Sequence, residues 1–190
     1  MYTGRMLEAD FLGEVNTNDP RYLARARELG ITEEGYLPDR EAMILAKEFQ
    51  PWQDVTVPEK DLPRDLRLEV FELLLEKGLV KRGQEDRVKI YTSVGTPFDY
   101  KHGIDTFLEL EDEKGNIIAR VTLDITQREE KIKTGGKADI IFSELPDPKN
   151  ENERYLRAID DLAKDAVELL AHRRKAALRQ MPETQPEARA

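Results

Sequence analysis

Residues 104–126 read IDTFLELEDEKGNIIARVTLDIT, and the period of two in this stretch decides the fold. Two alternating runs, Ile104 to Leu110 and Ile117 to Thr126, flank a polar turn at Lys114-Gly115. A two-residue loop at Lys114-Gly115 and a four-residue loop closed by Asp112 and Ile117 give the same register. Ile104 then stands opposite Ile125, Thr106 opposite Leu123, Leu108 opposite Val121 and Leu110 opposite Ala119, so that one face is apolar. On the other face Phe107 meets Thr122, Glu109 meets Arg120 as an ion pair, and Asp105 meets Asp124. A slip of one residue would carry the apolar set to the wrong face and break the ion pair, so this register is favoured.

The neighbouring segments extend the hairpin into a domain. Val88 to Val94 reads as a preceding strand and Lys137 to Phe142 as a following one. Before them, Leu66, Val70, Leu73 and Leu74 recur at helical spacing, widened by Phe71 and Leu75. Asp61 is the cap candidate for that helix, Pro63 lies in its first turn, and Gly78 ends it. After the strands a long helix runs from about Asn152 to Gln180, with Tyr155, Ile159, Leu162, Ala166, Leu169 and Leu170 on one stripe. Its continuation past His172 is poor in large apolar residues, so that end projects into solvent or onto a partner. The expected architecture is α+β (α/β), a central mixed four-stranded sheet flanked by helices.

Residues 1–60 read as a helical arm and extended connector, 61–180 as the core domain, and 181–190 as a disordered tail. In the arm, Asn18-Asp19-Pro20 starts a helix that stops at Gly30, and a second helix runs from Asp39 until Pro51. The arm packs on the main domain or on a partner.

The chain has 190 residues and a net charge of −9, long enough for one domain with a buried core. The absence of cysteine excludes disulfides, zinc fingers, iron–sulfur clusters and thiol chemistry. Two histidines, His102 and His172, exclude a His-rich metal site. No apolar run is long enough for a signal peptide or a membrane span, so the expectation is a cytoplasmic protein with no membrane partner. The acidic balance disfavours a general coating of nucleic-acid contacts and leaves room for a local basic groove.

The Asp105–Asp124 pair poses a physical problem. Facing side chains in a sheet stand about 4.5–5.5 Å apart, and like charges there repel. A basic side chain, a shared proton or a divalent cation would relieve the repulsion. So would a frayed strand end with both carboxylates in water.

The order helix, four strands, helix, with acids on the second and third strands in HGIDTFLEL and VTLDIT, resembles the PD-(D/E)xK nuclease superfamily, the restriction-endonuclease-like fold. The resemblance covers roughly residues 61–172 and its motif is short. It implies that Asp105 and Asp124 hold Mg²⁺ or Mn²⁺, and that a glutamate on the preceding helix, for which Glu69 is the candidate, completes the set. A lysine two residues past the second acid polarises water in that family, but Thr126 stands there in this chain. Either a lysine from a neighbouring element replaces it, or the chain is a degenerate relative. Lys137, which begins the fourth strand and shares a face with Asp139, is the first choice, ahead of Lys131 and Lys133.

The expected function is therefore a metal-dependent nuclease-like protein that cleaves phosphodiester bonds in DNA, active or degenerate. The rival is a non-enzymatic structural or adaptor subunit of a larger assembly, for example a viral one, with its protein partner on the arm or the C-terminal helix. A basic groove beside Asp105 and Asp124 favours the nuclease; a broad apolar patch on the arm favours the adaptor. His102 is read as a turn residue, with proton transfer as the alternative. Arg173-Arg174-Lys175 and Arg179 are read as complementing the helix dipole, with phosphate or an acidic partner as the alternative. Thr134-Gly135-Gly136-Lys137 is read as a flexible loop.

Overall fold

The computed structural model describes residues 4–126, 137–142 and 146–180, with side chains from Glu8 to Arg179 within those ranges. Its elements are α1 (Gly4–Leu12), α2 (Pro20–Glu28), α3 (Asp39–Glu48), α4 (Asp61–Glu76), a 3₁₀ turn (Glu85–Arg87), β1 (Val88–Thr92), α5 (Pro97–Tyr100), β2 (Thr106–Glu111), β3 (Ile117–Ile125), β4 (Ile140–Phe142) and α6 (Asn152–Gln180). The strands form one mixed sheet in the order β1-β2-β3-β4. β2 runs antiparallel to both of its neighbours, and β3 and β4 are parallel. No helix among the described residues is long and apolar enough to cross a membrane.

The hairpin register is the expected one over five pairs, from Thr106 opposite Leu123 to Leu110 opposite Ala119. The ladder then shifts at Leu110/Glu111, where a bulge places Glu111 opposite Ile117. Glu109 and Arg120 meet with contacts of 2.5 and 2.8 Å. Lys47 Nζ of α3 joins them, 2.6 Å from the same carboxylate. Glu109 is fully buried, and these two cations compensate its charge.

The sheet separates two cores. On one face Val88, Ile90, Leu108, Leu110, Ala119, Val121 and Leu123 pack against Leu66, Val70 and Leu74 of α4 and against Tyr155, Ile159, Leu162 and Leu170 of α6. Leu12 of α1 inserts into the same core. On the other face Tyr91 and Phe107 stack at 5.0 Å and meet Tyr22 and Ala26 of α2 and Ala42, Leu45 and Ala46 of α3. The arm thus packs on the sheet domain from both sides.

Several local expectations change. Ile104 is buried, but it joins the Phe107 core rather than the Leu108 face. The reason is that β2 starts only at Thr106: the Ile104 N–H donates to the Phe98 carbonyl in the α5 segment at 3.2 Å, outside the ladder. Alternation does not extend past the end of a ladder. The residue capping α4 is Lys60, and Asp61 lies in its first turn. β1 ends at Thr92 and β4 begins at Ile140, so both strands are shorter than the alternation suggests and Lys137 precedes its strand. Asp19 does cap α2, accepting the Arg21 N–H at 2.8 Å, and Gly30 follows with φ +86. Lys131, Lys133, the Thr134–Gly136 turn and the 181–190 tail lie outside the described residues.

A candidate carboxylate site at the mouth of the hairpin

Asp105 sits at the entry to β2, where the chain leaves the ladder. Its N–H donates to the Leu123 carbonyl at 2.9 Å, and its own carbonyl accepts the Ser93 N–H at 2.8 Å. Its carboxylate Oδ2 accepts the Ile125 N–H at 2.7 Å. Main chain and side chain thus bind the two neighbours of Asp124. The ladder itself ends at Thr106–Leu123, one position short of a formal Asp105–Asp124 pair. Both aspartates are buried, at 3% and 2% exposure. Asp124 also pairs in register with Ile141 of β4.

Two further carboxylates gather at Asp105 from other elements. Glu8 of α1, Asp99 of α5 and Asp105 each place an oxygen within 4.8 Å of the other two. Leu12, fully buried in the first core, anchors α1 and with it Glu8. Asp99 is positioned by a tight turn. Thr96 caps the single-turn helix α5 by accepting the Phe98 N–H, and Asp99 Oδ2 accepts the Gly95 N–H at 2.8 Å. Gly95 has φ +87, and a Cβ there would stand 3.1 Å from Glu14. Only glycine fits that turn comfortably.

Burial pushes the Asp105 carboxyl up to about 8, with Glu8 adding the next largest effect and Asp99 and Asp124 contributing further; the Ile125 N–H opposes them. A carboxyl in this state is protonated at neutral pH unless a positive charge arrives. All three donors are carboxylate oxygens, the donor type that hard divalent cations such as Mg²⁺ and Mn²⁺ prefer. The residues present therefore fit the cation that the resemblance implies.

The other residues singled out from the sequence lie as follows. Glu69 stands on α4 near Lys164 of α6, whose ammonium feels its charge, and it is not one of the three clustered carboxylates. Lys137 is exposed, and its Nζ donates to the Lys101 carbonyl at 3.4 Å, two residues beyond Asp99. Thr126 is buried and its N–H donates to the Phe142 carbonyl at 2.8 Å. His102 is buried between arm and core: Nε2 donates to the Leu37 carbonyl at 2.8 Å, and Nδ1 lies 2.5 Å from Asp39. Its partners are not local: Leu37 lies 65 residues away in sequence. Arg173 clamps Asp139, which also accepts from the Thr122 N–H and hydroxyl at 2.9 Å. The Asp139 carboxyl, which burial alone would raise, is held below the usual range by Arg173 and Thr122.

Glu8 and Asp99 escaped the sequence reading. Asp99 carried one usable signal, the Thr96-Pro97 helix start that sets it three residues past a cap. Glu8 carried none, because only the docking of α1 brings it to the sheet. No family model, characterised protein or solved structure matches the chain.

Proposed function

We propose that the chain is a metal-dependent nuclease-like protein acting on DNA, with Glu8, Asp99 and Asp105 as the carboxylates that hold the cation and Asp124 beside them. One observation carries this reading: three carboxylates from three separate elements converge within 4.8 Å around a buried aspartate. Such convergence costs the apo protein electrostatic energy, and a divalent cation offsets that cost. The order of elements α4, β1 to β4, α6, with the acids at the start of β2 and on β3, also supports the restriction-endonuclease-like reading.

When bound, a divalent cation neutralises a scissile phosphate and lowers the pKa of a bound water. The chain's own residues orient and focus. The Ile125 and Gly95 N–H groups each tie down one oxygen, of Asp105 and Asp99 respectively, which fixes the two carboxylate planes. Burial of Asp105 and Asp124 keeps the local dielectric low, so nearby charges act strongly. The Lys137 ammonium, held against the chain two residues past Asp99, supplies positive charge for developing oxyanions.

The test is a nicking assay on supercoiled DNA with Mn²⁺, paired with calorimetric titration of Mn²⁺. Wild type is expected to bind the ion and nick slowly. Asp124→Ala and Asp105→Asn are expected to lose nicking while keeping their circular dichroism. A wild type that neither binds Mn²⁺ nor nicks refutes the proposal and leaves the adaptor reading.

A further inference from the structure

The residues that follow Asp99 along the chain carry different chemistry. Asp99 is followed by Tyr100 and Lys101, and both side chains are exposed, Tyr100 to 54%. The Tyr100 hydroxyl donates to the Gly35 carbonyl at 3.1 Å, which fixes the ring while leaving much of it in water. The next residue on that turn, Tyr36, is 44% exposed and packs its ring 5.6 Å from His102. The Gly35 turn thus carries one half-exposed ring, Tyr36, and is bonded by a second, Tyr100. Lys101 Nζ lies 5.8 Å from the centre of the Tyr100 ring, and Lys137 Nζ is bonded to the Lys101 carbonyl.

Half-exposed aromatic rings, one with an ammonium over it, are the elements of a single-stranded nucleic-acid platform. Bases stack on the rings without regard to sequence, and the cations follow the backbone. A protein–protein surface enriched in exposed lysine would be unusual, since lysine is depleted at such interfaces. We infer that Tyr100, Tyr36, Lys101 and Lys137 form a platform for an unpaired DNA strand, which delivers its backbone to the carboxylates one residue away at Asp99. The inference rests on the nuclease reading for the strand's destination, while the platform itself binds without metal.

The experiment is fluorescence anisotropy of labelled oligothymidine and of a duplex of equal length, in EDTA, with the full chain. Wild type is expected to prefer the single strand. Tyr100→Ala is expected to weaken that binding roughly tenfold, within the range for loss of one base–aromatic stack. Tyr100→Phe, which keeps the ring but loses the bond to Gly35, is expected to restore it. Lys101→Gln is expected to flatten the log–log salt dependence by about 0.7, as for loss of one phosphate contact on a single strand. Tighter binding to duplex than to single strand, or equal binding by wild type and Tyr100→Ala, overturns the inference. A Tyr100→Phe variant as weak as Tyr100→Ala overturns it too, since the hydroxyl bond and not the ring face would then be at work. The two readings fail separately. Platform binding in EDTA without nicking in Mn²⁺ removes the nuclease alone, and nicking indifferent to Tyr100→Ala removes the platform alone.

Discussion

Replacing Asp105 by asparagine should invert its effect on stability between acid and mildly alkaline pH. Asparagine keeps the shape and can still accept the Ile125 N–H through Oδ1. What it loses is the ability to ionise. In the folded protein burial, and next Glu8, raise the Asp105 carboxyl to about 8 from 3.8. An acid raised in this way favours folding while it is protonated. That contribution is complete below the unfolded value near 4, and it is lost as pH rises through about 8. From pH 5 to 8 the window spans about three units at about 1.4 kcal/mol each, on the order of 4 kcal/mol. For a domain of this size each kcal/mol moves Tm by about 2–4 °C, so the wild type should lose roughly 8–16 °C relative to Asp105→Asn across the window. The assay is thermal melting of both proteins in EDTA at half-unit steps of pH, taking the difference in Tm so that other titrating groups cancel. At pH 8, Mn²⁺ at a hundred times its Kd should return about 2.7 kcal/mol to the wild type and nothing to the variant. A difference in Tm that stays constant from pH 5 to 8 would refute the burial and charge argument. So would an Asp105→Asn that is the less stable protein at pH 8.

Two further perturbations probe the frame. Leu108→Ala, at a fully buried position between the sheet, α4 and α6, should cost about 2–5 kcal/mol in urea unfolding with the m value unchanged. Glu109→Ala leaves Lys47 and Arg120 without their shared anion in a half-buried setting and should cost about 3–5 kcal/mol; recovery of most of that loss in the triple variant with Lys47→Met and Arg120→Met would identify the unpaired cations as its source.

The alternation in residues 106–123 was sufficient to determine the β2–β3 register, because one buried face makes every slip expensive. Helical spacing with its caps and breakers likewise determined α2, α3, α4 and α6 to within a residue or two. These are local signals, each carried by the residues that obey it. The burial of Asp105 was not legible: alternation set its side chain on the face opposite the apolar one, with water as one of its open settings. Nor were two of the carboxylates around it, Glu8 and Asp99. The sequence paired it with Asp124 by extending the ladder one step too far. In the structure the chain leaves the ladder before Thr106, because Ile104 bonds to Phe98 and packs with Phe107. Glu8 reaches Asp105 only because Leu12 is drawn into the core, and Asp99 only because the Gly95 turn folds it back. The first is a long-range packing outcome, set by which apolar side chains find a common core, and the second is a local turn whose place against Asp105 the sequence did not announce. Sequence periodicity reports which face of an element is buried, and tertiary packing alone decides which other element comes to meet it.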